Sequence, residues 1–315
     1  MRIDIDFFKS IYNDDIIYHY TKASTAIDFI LYDNTLKFNE SHNSIDPIES
    51  KKAHRSISYR RNTHEDPPKA EVSKNGQHLL RYASSLEKSF YQISFCRNTM
   101  GSDFASEFYI CGFRGHEELF GFTKPRMWNQ YADNYTGVCL AFAKSKILSL
   151  NQSRLKLIED NVQYLTFRDL LLKKLGNIDG DYLERIGLKN YKKQVRKIIK
   201  QSFFVKHIDY AGENEYRIGT LYKRRKSDIE IIRGDVTSGK TILLDVTNCL
   251  IAIFISSFTN EKQKQELRKY ANELCIPIIE MKWKNDSFDP LDYNQECISD
   301  DRIIKILQKL TNSNV

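Results

Sequence analysis

Hydrophobic spacing changes period several times along this chain, and each change marks an element. Residues 15–21 form a run rich in β-branched and aromatic side chains (Ile16, Ile17, Tyr18, His19, Tyr20) that predicts a strand. Residues 22–36 switch to helical spacing, with Ala26, Ile27, Ile30 and Leu31 on one apolar face and Thr21 or Ser24 as the candidate cap. A short strand at 36–39 and a turn at 44–49 follow. Residues 50–90 are polar and basic, with Arg60-Arg61 and Pro67-Pro68, and read as a loop and then a helix over 79–90. Strands are predicted at 91–96 and 137–142, separated by a helix starting over 125–131 with Pro125 in its first turn. A helical block spans 167–206. Strand-like runs at 215–222, 229–233, 242–246 and 250–256 precede a helix at 260–274, a strand at 277–283 and a last amphipathic helix at 300–310. Strands and helices mix without strict alternation, which predicts an α+β fold rather than a doubly wound parallel sheet. No repeat, linker or low-complexity tract divides the 315 residues, so one domain is expected.

Composition narrows the class. Hydrophobic residues make up 41% and charged residues 28%, enough apolar material for a core and too much for a disordered chain. The net charge of +7 permits a polyanionic partner without requiring one. The longest apolar run, residues 249–255, falls far short of the roughly 20 residues that span a bilayer. Asp4 and Asp6 sit where a signal peptide needs an apolar stretch. The six cysteines show no C-x-x-C pair and lie mostly in apolar surroundings. Buried thiols in a reducing cytoplasm are therefore expected, with no membrane partner.

Some motifs carry less than they promise. Residues 234–241 (Gly-Asp-Val-Thr-Ser-Gly-Lys-Thr) satisfy the phosphate-loop pattern, but a β-branched run follows where that loop needs a helix N-terminus, so a turn between strands explains them better. His42, His54, His64 and His78 have no helical pairing for a metal, and none is expected. Cys96 beside Arg97 is either an activated thiol or a small buried strand residue, the second being simpler. The 167–206 block, with 11 Lys+Arg against 4 Asp+Glu, is either a solvated face or a surface for an acidic partner.

Three distant segments hold side chains that together suit one chemistry. His19 stands near the end of the first strand. Trp128 and Tyr131 are three apart on a helix, hence on one face. Glu213 and Glu215 are two apart at the mouth of a strand, so their side chains point the same way. A flat ring for a heterocycle, a ring nitrogen for a sugar hydroxyl and a carboxylate for a developing cation fit cleavage of an N-glycosidic bond, whose transition state is oxocarbenium-like. Taken singly, each residue also has a structural reading: a core histidine, a core tryptophan, a solvated strand end, a Tyr216–Arg217 cross-strand pair.

Order and local context add a resemblance. Tyr18-His19-Tyr20-Thr21, Thr35-Leu36-Lys37-Phe38, Ile45-Asp46-Pro47-Ile48-Glu49, Ile93-Ser94-Phe95-Cys96-Arg97-Asn98, Met127 to Asn134, Gly137 to Phe142 and Glu213-Asn214-Glu215-Tyr216-Arg217 resemble a bacterial domain-of-unknown-function family, number 2971. That family is similar to the ADP-ribosyltransferase fold of the His-Tyr-Glu type. The resemblance implies a split β core with flanking helices and NAD as substrate in its cleft. It also implies a polar insertion at about 42–90, a flap at about 99–124 and a basic helical insertion at about 167–206.

By the same resemblance, His19 bonds a ribose, Tyr131 stacks on nicotinamide and Glu215 holds the ribose 2′-hydroxyl while stabilising the cation. Glu213 aids the acceptor, and Ser94 supports the nicotinamide pocket. Tyr20, Thr21 and Trp128 complete the NAD-binding set. The expected activity is ADP-ribosyl transfer to a protein or nucleic acid by a cytoplasmic effector of the toxin or phage-defence kind, held in check by an inhibitory partner protein. NAD glycohydrolysis and a non-catalytic binding module on the same fold are the alternatives.

Overall fold

The structure, a computed structural model, describes residue 7 and residues 10–41, 56–59, 73–99, 119–173, 177–222, 242–283 and 288–292. Its strands are β1 (Ile16–Thr21), β2 (Thr35–Lys37), β3 (Asn39–Glu40), β4 (Ser56–Ser58), β5 (Phe90–Arg97), β6 (Val138–Ala143), β7 (Leu157–Asn161), β8 (Gln163–Leu165), β9 (Asn177–Asp179), β10 (Val205–His207), β11 (Glu215–Leu221), β12 (Leu243–Asp245), β13 (Leu250–Ser256), β14 (Ile278–Trp283) and β15 (Phe288–Asp292). Its helices are α1 (Ala23–Thr25, continued by a π-helical stretch Ala26–Leu31), α2 (Lys74–Lys88), α3 (Pro125–Gln130), α4 (Lys144–Asn151), α5 (Phe167–Lys173), α6 (Gly180–Ile186), α7 (Leu188–Ser202) and α8 (Glu261–Glu273).

Among the described residues one mixed sheet dominates an α+β architecture. Its order is β15-β14-β13-β6-β1-β5-β11-β7, with β3 also on β5. Neighbours run antiparallel except β13 and β14. All six residues of β6 are buried, as expected of a central strand covered on both faces. Alternation sorts the side chains of β1. Ile16, Tyr18 and Tyr20 join a core roofed by Phe120, Phe122, Met127 and Trp128. Ile17 faces the other way, into the core beneath α1 and α8. A third core holds Leu79 and Ala83 of α2 and Tyr191, Val195 and Ile199 of α7, where the Phe90 and Phe203 rings stack at 3.7 Å.

The sheet splits between two of its central strands. β1 and β5 pair only at Ile17↔Arg97 and Tyr18↔Cys96. Beyond that point β1 stays with β6 as far as Thr21↔Val138, while the start of β5 takes β3 as its neighbour at Asn39↔Gln92 and Glu40↔Tyr91. The Ser94 carbonyl lies between these two pairings and is met by a side chain: His19 Nδ1 sits 3.2 Å away. A carbonyl accepts, so Nδ1 carries the proton, and the group left without a ladder partner is satisfied.

Several expected boundaries move for local reasons. The first helix ends before residue 36 because Asn34 takes a left-handed conformation (φ 52) and turns the chain into β2. Its Lys22 N-cap makes no side-chain cap hydrogen bond, so neither Thr21 nor Ser24 is the cap. The helix expected over 79–90 starts at Lys74, where the Ser73 side chain accepts from the Gly76 N–H. The 167–206 block is not a continuous helix. Gly187 (φ 78) separates α6 from α7, β9 interrupts the block, and its end is the strand β10. The chain between β6 and α5, passed over in the sequence, supplies α4, β7 and β8.

The turn at 44–49, Arg60-Arg61, Pro67-Pro68, most of the flap, the strand at 229–233, the phosphate-loop pattern at 234–241, His42, His54, His64 and the helix at 300–310 lie outside the described residues. Among the described residues no helix is long and apolar enough to cross a membrane.

Candidate functional site

A buried cluster of four charges sits where the third core meets the sheet. After α7, Phe203 and Phe204 enter the apolar interior and β10 pairs in parallel with β8, which buries Lys206. A 3₁₀ turn (Ile208–Glu213) then leads to Asn214, held left-handed at φ 43. Asn214 is anchored on both sides of its amide. Its Nδ2 donates to the carbonyls of Arg97 (3.1 Å) and Asn98 (2.8 Å), and its Oδ1 accepts from Arg97 Nη2 (3.0 Å). Glu213 and Glu215 therefore leave from different elements, the end of a turn and the start of β11, and not from one strand as their spacing suggests. They converge on one ammonium: Lys206 Nζ lies 2.7 Å from Glu213 and 3.6 Å from Glu215.

Arg217 closes the cluster. Its Nε and Nη2 donate to the two Glu215 oxygens at 2.6 and 2.9 Å, and its Nη1 donates to the Phe203 carbonyl at 2.7 Å. Lys206, Glu213, Glu215 and Arg217 are each 5% exposed or less. Burial opposes ionisation of Glu215, but the Arg217 guanidinium, the Lys206 ammonium and the Ser94 hydroxyl outweigh it and hold the carboxyl below its usual range. Two cations and two carboxylates balance, so no net charge is left in the interior. The Glu215 N–H donates to the Tyr164 hydroxyl at 2.7 Å. The Tyr210 ring lies between Lys206 (4.5 Å) and Arg126 (4.9 Å) as a cation–π partner of both.

Tyr131 links this cluster to solvent. It caps the C-terminus of α3, remains 43% exposed, and donates its hydroxyl to Glu213 Oε1 at 3.1 Å. Burial, and next to it the nearby carboxylates, raise its phenol, so it stays a donor at neutral pH. Ser94, exposed on β5, reaches Glu215 through its hydroxyl. The structure thus brings Tyr131, Glu213, Glu215 and Ser94 together.

It places the other predicted residues elsewhere. Register puts Tyr18, Cys96 and Glu215 on one face of the sheet. His19 belongs to the opposite face, beside the Phe95 ring at 5.7 Å. Burial holds its imidazole below the ordinary histidine range, so it is neutral at pH 7. Tyr20 is buried and donates to the Gly121 carbonyl at 2.6 Å. Thr21 closes the β1–β6 ladder opposite Val138. Trp128 is fully buried, donates to the Phe122 carbonyl at 2.7 Å and packs edge-on against Tyr20. Cys96 is buried and its thiol is pushed up to about 12, so it is no thiolate nucleophile at neutral pH.

Sequence reasoning missed Lys206, Tyr164 and the role of Arg217. Lys206 carries a signal in hindsight: it follows Phe203-Phe204-Val205, an apolar run that a solvated basic helix does not contain. Among the described residues no group of three His, Cys, Asp or Glu is placed to hold a metal ion.

The titration of this site has a defined direction. Glu215 and His19 both have folded values below their unfolded ones, so the unfolded chain binds protons first and stability is lost as the pH is lowered. Stability measured by urea unfolding is expected to drop first below about pH 6.5, through His19, and again below about pH 4.3, through Glu215. Constant stability from pH 7 down to pH 3 would contradict both assignments.

The arrangement sets two buried carboxylates, each engaged by a cation, beside a half-exposed ring and a serine hydroxyl. No curated protein and no solved structure matches the chain. Residues 127–218, which carry Tyr131, Lys206 and Glu213 to Arg217, match the model of a family described as Protein of unknown function (DUF2971).

Proposed function

We propose that the chain is an NAD-dependent, ADP-ribosyltransferase-like enzyme that modifies a protein or nucleic acid. The observation that carries this reading is the Tyr131–Glu213 contact: a half-exposed ring bound through its hydroxyl to a buried carboxylate, with Glu215 joined to the same ammonium. The split between β1 and β5 supports it, because a split core is what the ADP-ribosyltransferase resemblance implies.

In this reading nicotinamide lies against Tyr131 and Ser94. The bond from the ribose C1′ to nicotinamide breaks, its electron pair leaves with nicotinamide, and Glu215 faces the positive charge that develops on the sugar. The acceptor then bonds C1′ and gives up its proton, which in this reading passes to the Glu213 carboxylate. Arg217 and Lys206 hold Glu215 ionised before substrate arrives. His19 contributes through the split, by holding the carbonyl of the strand that carries Ser94. A cytoplasmic effector of the toxin or phage-defence kind, with an inhibitory partner protein, is the biological setting that fits such chemistry.

A second reading is favoured by one observation. Both Glu215 oxygens are engaged by Arg217, as in a closed structural ion network. A fold so closed would bind a partner without cleaving NAD.

Incubating the protein with NAD⁺ labelled in its adenylate half, in the presence of cell extract, separates these readings. Transfer predicts nicotinamide together with a labelled macromolecule. Nicotinamide with label only in free ADP-ribose marks a glycohydrolase. Intact NAD⁺ after prolonged incubation with folded protein overturns the proposal and leaves the binding reading.

A further inference from the structure

The helix that feeds Lys206 into the site has an outer face of one sign. Residues 188–202 contain Lys189, Lys192, Lys193, Arg196, Lys197 and Lys200 and no acid. Tyr191, Val195 and Ile199 form the buried stripe of α7, packed in the third core. Lys189, Lys193, Arg196 and Lys197 are exposed, and Lys189, Lys193 and Lys197 repeat at four-residue steps on the side away from that stripe. Among the described residues none of these four pairs with a carboxylate. Glu184 of the preceding helix is engaged elsewhere, accepting from Ser73 (2.7 Å) and Asn75 (3.1 Å).

An ordinary solvated helix in the same molecule looks different. On α8 the cations are interleaved with acids, and two of them pair along the helix, buried Lys264 with Glu261 at 2.8 Å and exposed Lys269 with Glu273 at 3.9 Å. On α7 the like charges stand unrelieved, at a cost to helix stability that α8 avoids. The adjoining helix adds to the field: α2, packed on α7, exposes Lys74, Arg81 and Lys88, and its Tyr82 ring takes Lys192 at 5.3 Å.

The chemistry of this face selects its partner. Four residues of helix rise about 6 Å, close to the separation of successive phosphates along a nucleic-acid strand. The exposed row contains no aromatic or aliphatic anchor of the kind on which protein interfaces rest. The apolar face of α7 is sealed in the core, which leaves nothing to enter a lipid surface. We propose that the row Lys189, Lys193, Arg196 and Lys197 docks the sugar–phosphate backbone of a nucleic-acid strand, without reading its sequence. This inference is independent of NAD cleavage: a non-catalytic protein would bind in the same way.

Fluorescence anisotropy with a labelled 12-mer tests it, using single-stranded RNA, single-stranded DNA and duplex DNA in parallel. Four phosphate contacts predict a slope of log K against log salt of about −2.8 for a single strand. The triple variant Lys189→Gln, Lys193→Gln, Lys197→Gln is expected to flatten this to about −0.7 and to weaken binding alike for any sequence. Lys262→Gln with Lys269→Gln on α8 is expected to change nothing. These exposed substitutions leave the core intact, and circular dichroism checks that each variant is folded. The proposal is overturned if wild type binds none of the oligonucleotides at low salt, if the triple variant binds as wild type does, or if polyglutamate or anionic vesicles bind as tightly. Nicotinamide release, measured on the same samples, reads the other proposal, so the two fail separately.

Discussion

Lys206→Met is expected to cost the protein about 3–5 kcal/mol of stability, the price of breaking a buried ion cluster by removing one partner. Methionine matches the length of the lysine stem and fills the space, so the loss isolates the charge. Among the described residues the ammonium alone joins the two carboxylates, 2.7 Å from Glu213 and 3.6 Å from Glu215. Without it Glu215 keeps the bidentate Arg217 contact, whereas Glu213 keeps the Tyr131 hydroxyl at 3.1 Å. An ionised carboxylate that is 2% exposed is then held by one neutral donor, and desolvation dominates. Urea unfolding of wild type and variant measures the difference. The double variant Lys206→Met with Glu213→Gln is expected to recover part of it, because the orphaned charge goes with the lysine. Equal midpoints for wild type and Lys206→Met would remove the cluster from the account.

Much of the frame was legible from periodicity. The runs at 15–21, 91–96, 137–142, 215–222 and 250–256 correspond to β1, β5, β6, β11 and β13, and the helix at 260–274 to α8. Within-strand alternation says which residues share a face; it does not say which strands become neighbours. For that reason His19 and Glu215 could be matched in chemistry from the sequence while their faces could not be compared: that comparison needs the register Tyr18↔Cys96 and Glu215↔Cys96. A split core was implied by the resemblance, but its position at Ser94 escaped for the same reason, being a property of three strands at once.

Lys206 escaped differently. Its neighbours on the N-terminal side are a basic helix, and charge counting absorbs it into that helix, although β10 takes it inside. Arg217 was visible in the motif, but whether an arginine on a strand serves a neighbour on the adjacent strand or folds back on its own depends on what covers it. Here it is buried, with one nitrogen on the Phe203 carbonyl and another on Glu215, two residues away on its own strand. Tyr131 and Trp128 show the opposite case. They share a short helix, and size and polarity sort them: the larger, less polar ring is fully buried and the phenol stays half in solvent with its hydroxyl on Glu213.

Glu215→Gln is expected to slow nicotinamide release from NAD⁺ by about 10²–10³-fold, the scale for removing one preorganised group that faces transition-state charge. Glutamine keeps the shape and can still accept from Arg217, but it removes the negative charge that the proposed mechanism sets against the developing sugar cation. Because the change also leaves Arg217 with a neutral partner, the variant is compared at a temperature where circular dichroism shows both proteins folded. Tyr131→Phe serves as the milder companion. It keeps the ring and removes the hydroxyl held by Glu213, and is expected to slow release by about tenfold, in line with one hydrogen bond to a charged group.

The most direct measurement is the rate of nicotinamide release by folded wild type and folded Glu215→Gln at saturating NAD⁺. A wild-type rate well above the uncatalysed background, reduced by about two orders of magnitude or more in the variant, is the predicted result. Equal release by the two proteins, or none from folded wild type, would contradict the account.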